Sequence, residues 1–338
     1  FMIHEFNQLL EAATLWHDKG HQLVLATVVA LEGSSYRRPG VRMLLNDQGE
    51  AFGAVSGGCV EKDVHRQAKN VFVTGKPKMM QYDGRIRLGC EGILYLLLEP
   101  FIPQSSLLTL FEKAWRERKG VEILSSYSKV LGEHDSLGSI FAYGDIQIPL
   151  GPMGTTIDSK ALLYSQTLGP VQQLYIFGAE HDAVALCASA HQIGWEVFIV
   201  AAPDEQKSKS FFPGCSQLFT PLPDAVDTHS IDDQTAVILM SHSFTKDLQY
   251  LIALRNSRPA YLGLLGPSHR RERLLSSFLE RFPETDPSFL EFCYGPTGIN
   301  IGAESAQEIA LSIMAEILSV TRNSVPHPLR QKSGRIHE

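Results

Sequence analysis

Between Glu5 and Lys19 apolar residues recur at helical spacing, at Phe6, Leu9, Leu10, Ala13 and Leu15, and Gly20 supplies the stop. Leu23 to Ala30 is rich in β-formers and predicts a strand. Val41–Leu45 and Ala51–Val55, separated by the turn Asp47-Gln48-Gly49, read as a hairpin. A helix follows from about Val60 to Val73, then a strand over Met79–Tyr82 and an apolar run over Ile93–Leu98. Ser105–Lys119 reads as helix, and Glu122–Ser128 and Ser139–Tyr143 as strands. This half is a mixed α+β domain over residues 1–150, and the weakly patterned stretch 151–172 reads as the linker.

From Leu174 the grammar changes to short apolar strands alternating with helices. The strands fall near Leu174–Phe177, Val197–Val200, Gln217–Thr220, Ala236–Met240 and Ala260–Leu265. The helices fall near Ala183–Ile193, Thr245–Asn256, His269–Leu279 and Ser305–Thr321. Such alternation predicts an α/β domain with a doubly wound parallel sheet over residues 173–322. Residues 323–338 read as a polar, basic tail.

Composition narrows the function classes. Lys+Arg 30 against Asp+Glu 37 leaves a net charge of −7 in 338 residues, which argues against attachment to nucleic acid or to an anionic membrane by overall charge. No stretch reaches the eighteen or so apolar residues a membrane span needs. The opening residues show no basic segment followed by an apolar one, so no secretory signal is expected. Five cysteines, at 59, 90, 187, 215 and 293, form no C-x-x-C pair. Reduced thiols in a cytoplasm are the expectation.

Three features of the first half bear on chemistry. Gly57-Gly58 precedes a helix, where backbone can approach a ligand and free N–H groups favour an anion; two glycines also suit a plain strand-to-helix turn. Cys59 stands at that helix start, where the dipole favours thiolate; a free cysteine also serves as a small buried hydrophobe. Arg37, Arg38 and Arg42 cluster around a Gly/Pro-bounded loop, a set that suits phosphate or simply solvent. Together they sketch a pocket for a phosphorylated ligand beside a thiol, with Cys90 converging from its own Gly-flanked loop.

In the second half, ligands of doubly wound sheets sit beyond the carboxyl ends of the strands at the switch point. Gly178, His181 and Asp182 follow the first strand, and His242 follows the fourth. Since these two strands are normally neighbours, both histidines are expected to face one place, with Asp182 and Asp247 nearby. Either a shared site or exposed structural histidines would fit. A dinucleotide fingerprint is incomplete: Glu180 occupies its second glycine position and Ala183 its third, and Ala201 stands where an acidic residue should hold the ribose. A carboxylate against a pyrophosphate repels it, which argues against NAD.

Two segments, Gly33-Ser34-Ser35-Tyr36-Arg37-Arg38-Pro39-Gly40-Val41-Arg42-Met43 and Val55-Ser56-Gly57-Gly58-Cys59-Val60-Glu61, resemble the N-terminal domain of the xanthine dehydrogenase accessory factors (XdhC/CoxI). Phe177–Ala183, Met240–Phe244, Tyr261–Pro267, Gly295–Ala303 and Glu308–Ile317 resemble that family's Rossmann-like domain. The resemblance implies a cytoplasmic chaperone, rather than a turnover enzyme, that binds the molybdenum cofactor (molybdopterin). It would hold the cofactor while a cysteine desulfurase supplies sulfur, then deliver it to a molybdenum hydroxylase apo-enzyme. On that reading Arg37, Arg38, Arg42 and Gly57-Gly58 hold the pterin phosphate, and Cys59 and Cys90 sit near the metal or the transferable sulfur, for which soft thiolates are suited. Gly178, His181, Asp182 and His242 would form the second domain's ligand loops. Two domains with a cleft between them predict either closure over a ligand or subunits pairing so that one chain's domain covers another's site; a homo-oligomer, a dimer, is the expectation.

The family's Gly-Ala-Gly-His turn carries Glu180 here, and its Gly-Cys-Gly-Gly loop reads Gly89-Cys90-Glu91-Gly92. The alternative function is a nucleotide- or metal-dependent oxidoreductase acting at the second domain, with the metal unspecified.

Overall fold

The computed structural model describes residues 3–33, 38–56, 58–83, 92–153 and 160–332, with backbone alone at Cys59. Two compact units divide the chain at Val171/Gln172.

The first unit opens with helix α1 (Ile3–Asp18), whose buried Phe6, Leu9, Leu10 and Ala13 realise the predicted stripe. Strands β1 (Leu23–Glu32), β2 (Arg42–Asn46) and β3 (Ala51–Gly53) follow, then α2 (Gly58–Thr74), β4 (Lys78–Asp83) and β5 (Ile93–Phe101). Helix α3 (Ser105–Arg116) leads to β6 (Val121–Tyr127), β7 (Gly132–Glu133), β8 (Gly138–Tyr143), β9 (Ile146–Pro149) and β10 (Leu162–Leu168). They build one antiparallel sheet in the order β3-β2-β1-β5-β4-β7 and a second in the order β10-β6-β8-β9. Leu25 and Leu44 of the first sheet share a core with Ile123 and Phe141 of the second and with α1 and α3. Val60, Val64, Ala68 and Val71 of α2, one helical stripe, pack with Val24, Ala26 and Leu96 of the first sheet in a separate core.

Strand β10 lies inside residues 151–172, the stretch read as linker from the sequence. It pairs with β6 from Leu162↔Tyr127 to Leu168↔Val121. As an edge strand with Leu162 and Leu163 exposed, it has no buried stripe for a pattern to reveal.

The second unit contains β11 (Gln173–Phe177), α4 (His181–Gln192), β12 (Glu196–Val200), β13 (Cys215–Phe219), β14 (Thr235–Leu239) and α5 (Phe244–Ala253). It continues through β15 (Tyr261–Leu264), α6 (Ser268–Arg281), α7 (Pro287–Glu291), β16 (Cys293–Tyr294) and α8 (Ala306–Thr321). All six strands are parallel, in the order β13-β12-β11-β14-β15-β16. Chain order reverses between β11 and β14, so the crevice of this sheet opens there. Helix α8 begins with a reciprocal Ser305–Glu308 capping box, which satisfies two otherwise orphaned backbone donors.

Candidate functional site

Packing of its apolar stripe against the first sheet fixes the direction of α2, and its first residue, Gly58, is exposed. A Cβ built on Gly58 would meet nothing within 4 Å, so neighbouring atoms do not require a glycine there. The first turn of any helix carries backbone N–H groups without an intrahelical acceptor, a general device for anions. Cys59 is the second residue of this helix, and Glu61 lies in its first turn. Gly57, Arg37 and Cys90 lie outside the described residues.

Arg38 is exposed just before Gly40. Gly40 has φ 99°, its N–H donates to Val28 O at 2.7 Å, and a Cβ there would stand 2.3 Å from Gln166 Nε2 and 2.6 Å from Tyr164 Oη. Here glycine is required both by conformation and by close approach.

Arg42 departs from its expected role as a phosphate ligand in the loop. It is 1% exposed, and its Nη1 donates to Gly40 O at 3.0 Å and to Gln166 Oε1 at 2.5 Å. As the first residue of β2 it points into the polar space between the two sheets of its unit. Glu99 lies in the same space, accepting from Ser139 N at 2.7 Å and from Ser139 Oγ at 2.5 Å. Ser125 Oγ stands 2.7 Å from Ser139 Oγ. Burial raises the Glu99 carboxyl to about 7, against the lowering effect of Ser139 and Arg42. Burial also brings the Arg42 guanidinium down to about 10, opposed by Tyr164 and Glu99. Desolvation outweighs mutual attraction in both groups. The visible effect of Arg42 is to clamp the end of the loop that carries Arg38.

At the crevice of the second unit the two histidines do converge. His242 Nε2 lies 3.0 Å from Asp182 Oδ2, and His181 Nε2 lies 3.4 Å from Asp182 Oδ1. His242 has left-handed backbone, φ 59°, which side chains rarely adopt. Asp247 does not join them. It is buried below, accepts from Ser241 N at 3.1 Å and Ser241 Oγ at 2.5 Å, and is held by Arg270 Nη2 at 2.6 Å. That anchoring of the preceding residue fixes His242 in its strained turn. Arg270, 23 residues downstream of Asp247, carries no local signal from which a sequence could reveal it.

Gly178 serves packing. With φ 152°, a Cβ there would stand 2.4 Å from Met240 O, so the ends of β11 and β14 meet only because it has none. Glu180, exposed, precedes α4 without making a side-chain cap, and Ala201 is buried. Among the described residues no group of three His, Cys, Asp or Glu side chains is placed to hold a metal ion.

An antiparallel α+β unit with an open helix N-terminus, joined to a parallel unit with Rossmann strand order, defines the class of protein. The family model described as "XdhC and CoxI family" matches residues 16–83, and that described as "XdhC Rossmann domain" matches residues 174–317. The chain belongs to the XdhC and CoxI family. It is 28% identical over 334 residues to a probable xanthine dehydrogenase subunit of Bacillus subtilis (strain 168), covering 94% of this chain and 98% of the relative. It is 27% identical over 327 residues to the molybdenum cofactor insertion chaperone PaoD of Escherichia coli (strain K12), covering 95% and 90%. A crystal structure described as a xanthine dehydrogenase from Bacillus halodurans superposes with a TM-score of 0.75 at 27% identity, covering 93% of this chain and 96% of that one.

Proposed function

We propose that this chain is a maturation chaperone that binds the molybdenum cofactor on its N-terminal unit and passes it to a molybdenum hydroxylase apo-enzyme. Full-length similarity to a protein named as a molybdenum cofactor insertion chaperone carries the reading. The site fits such a cargo. The open N-terminus of α2 above Gly58 offers backbone donors to the pterin phosphate, and exposed Arg38 supplies a guanidinium for the same anion. Cys59 in the first turn of α2 supplies a thiol where the helix dipole favours thiolate, the form that a molybdenum centre or a transferable sulfur requires. Arg42 holds the backbone of Gly40, two residues after Arg38. Sulfuration by a cysteine desulfurase, a homodimeric state and a cytoplasmic location belong to the same reading. Among the described residues no helix is long and apolar enough to cross a membrane.

The test is direct binding of anaerobically prepared molybdenum cofactor to wild type, Cys59→Ala and Arg38→Ala. Micromolar or tighter binding by wild type, weakened about tenfold or more by either substitution, is the expected result. A folded wild type that binds no cofactor overturns the reading. Undiminished binding by both variants removes the assigned site while leaving the chaperone role.

A further inference from the structure

A hollow of about 350 Å³ lies at one end of the first sheet, where β1 begins and β5 ends. Leu23 and Val24 of β1 stand opposite Phe101 and Pro100 of β5, and all four line it. Leu23 and Phe101 belong to the core shared with α1, and Val24 and Val71 to the core under α2, so both apolar cores come to the surface here. Its size suits a ring with a short side chain. Helix α2 is 17 residues long, which spans about 25 Å. The hollow sits at its C-terminal end and Gly58 at the other, so this place is separate from the one assigned to the cofactor.

Two helices end at its rim. His17 and Gly20 line the hollow from the end of α1, and Phe72 and Gly75 from the end of α2. The last carbonyls of a helix lack intrahelical donors and carry the negative end of its dipole. At α2 the helix itself does not compensate this end. Its last turn holds no basic residue, and the Lys76 N–H donates to Thr74 Oγ1 at 3.2 Å rather than back to the Phe72 carbonyl. The Lys76 ammonium is taken up by Asp135, 2.8 Å away. Among the described residues that line the hollow there is no lysine or arginine. His21, also in the lining, has Nδ1 2.9 Å from Asp47 Oδ1, and a proton held there leaves its Nε2 an acceptor. An apolar floor below an acceptor-rich rim at two helix C-termini is complementary to a cation on an apolar body. We propose that this hollow binds a small organic amine, an ammonium group joined to an aromatic ring by a short chain. The ring rests on Leu23, Val24 and Phe101, and the ammonium sits at the ends of α1 and α2.

The experiment is calorimetric titration of the full-length chain at pH 8 with 2-phenylethylamine, 2-phenylethanol and phenylacetate, which share a ring and differ in the charge of the head group. The amine should bind with about millimolar affinity or tighter, about fivefold or more tighter than the alcohol, with the carboxylate weakest. Gln22 is an exposed lining residue, and Gln22→Trp is chosen to fill the hollow with an indole. That variant should bind the amine about tenfold more weakly with its thermal midpoint unchanged. Should it fail to fold, the ring resonances of His17 and His21 in the wild type locate the site, since both should shift as the amine is added. Alcohol or carboxylate binding as tight as that of the amine overturns the proposal, as does the absence of amine binding at about 10 mM. Undiminished binding by a folded Gln22→Trp, or His17 and His21 resonances that stay in place, overturns it too.

Discussion

Glu99 holds its proton to a higher pH in the folded protein than in the unfolded chain, because burial raises it from 4.5 to about 7. The sign follows from linkage: its contribution to stability is fully present below about pH 4.5 and is lost as pH rises through about 7. A shift of this size corresponds to about 3 kcal/mol at most. Glu99→Gln keeps an acceptor for Ser139 but removes the titration. Its stability should match wild type near pH 5 and exceed it at pH 8, giving a flatter pH dependence. Loss of attraction to Arg42 offsets little of this gain, since that effect ranks last among the causes acting on Glu99. Urea midpoints at pH 5, 6.5 and 8 measure the slope, and equal slopes for the two proteins would refute the argument.

Where elements meet, the glycines separate into two kinds. Gly178 lets the end of β11 approach the end of β14, and Gly178→Ala forces a methyl group against Met240 O. That substitution should cost about 2–4 kcal/mol and lower the thermal midpoint by several degrees. Gly58→Ala meets no atom within 4 Å, so stability should stay within about 1 kcal/mol of wild type while cofactor binding weakens. Thermal melts alongside the cofactor assay distinguish the two; a Gly58→Ala protein that binds fully denies that the open space serves a ligand. Much of this arrangement was legible in the sequence, because α1 has a buried stripe that announces its period and β11, buried at every position, reads as a short continuous apolar run. Convergence of His181 and His242 was also legible, since parallel strand order places strands one and four side by side. Edge strand β10 and the inward turn of Arg42 were not, because both depend on pairing with residues far along the chain. Arg42 meets Gln166 across 124 positions, and no local pattern encodes such a contact.

At the scale of the whole molecule, one sheet shares its strand order with dinucleotide-binding proteins while its first turn opposes their ligand. The parallel order and the crevice between β11 and β14 are present. Yet the exposed carboxylate of Glu180 occupies the position from which a glycine backbone would approach a pyrophosphate. Ala201 is buried where an acidic side chain would meet a ribose. The acidic residues that follow, Asp204 and Glu205, are each paired to Lys246 Nζ at 3.0 Å. Wild type should accordingly bind NAD+ and NADH no tighter than about millimolar, while Glu180→Gly, relieved of the repulsion, should bind about tenfold better. Equilibrium dialysis of both proteins against both nucleotides measures this. Micromolar NAD(H) binding by wild type would move catalysis into the second unit and make an oxidoreductase the better reading of the chain. Weak binding restored by Glu180→Gly would instead identify that carboxylate as what separates this crevice from a dinucleotide site, and leave cargo handling to the first unit.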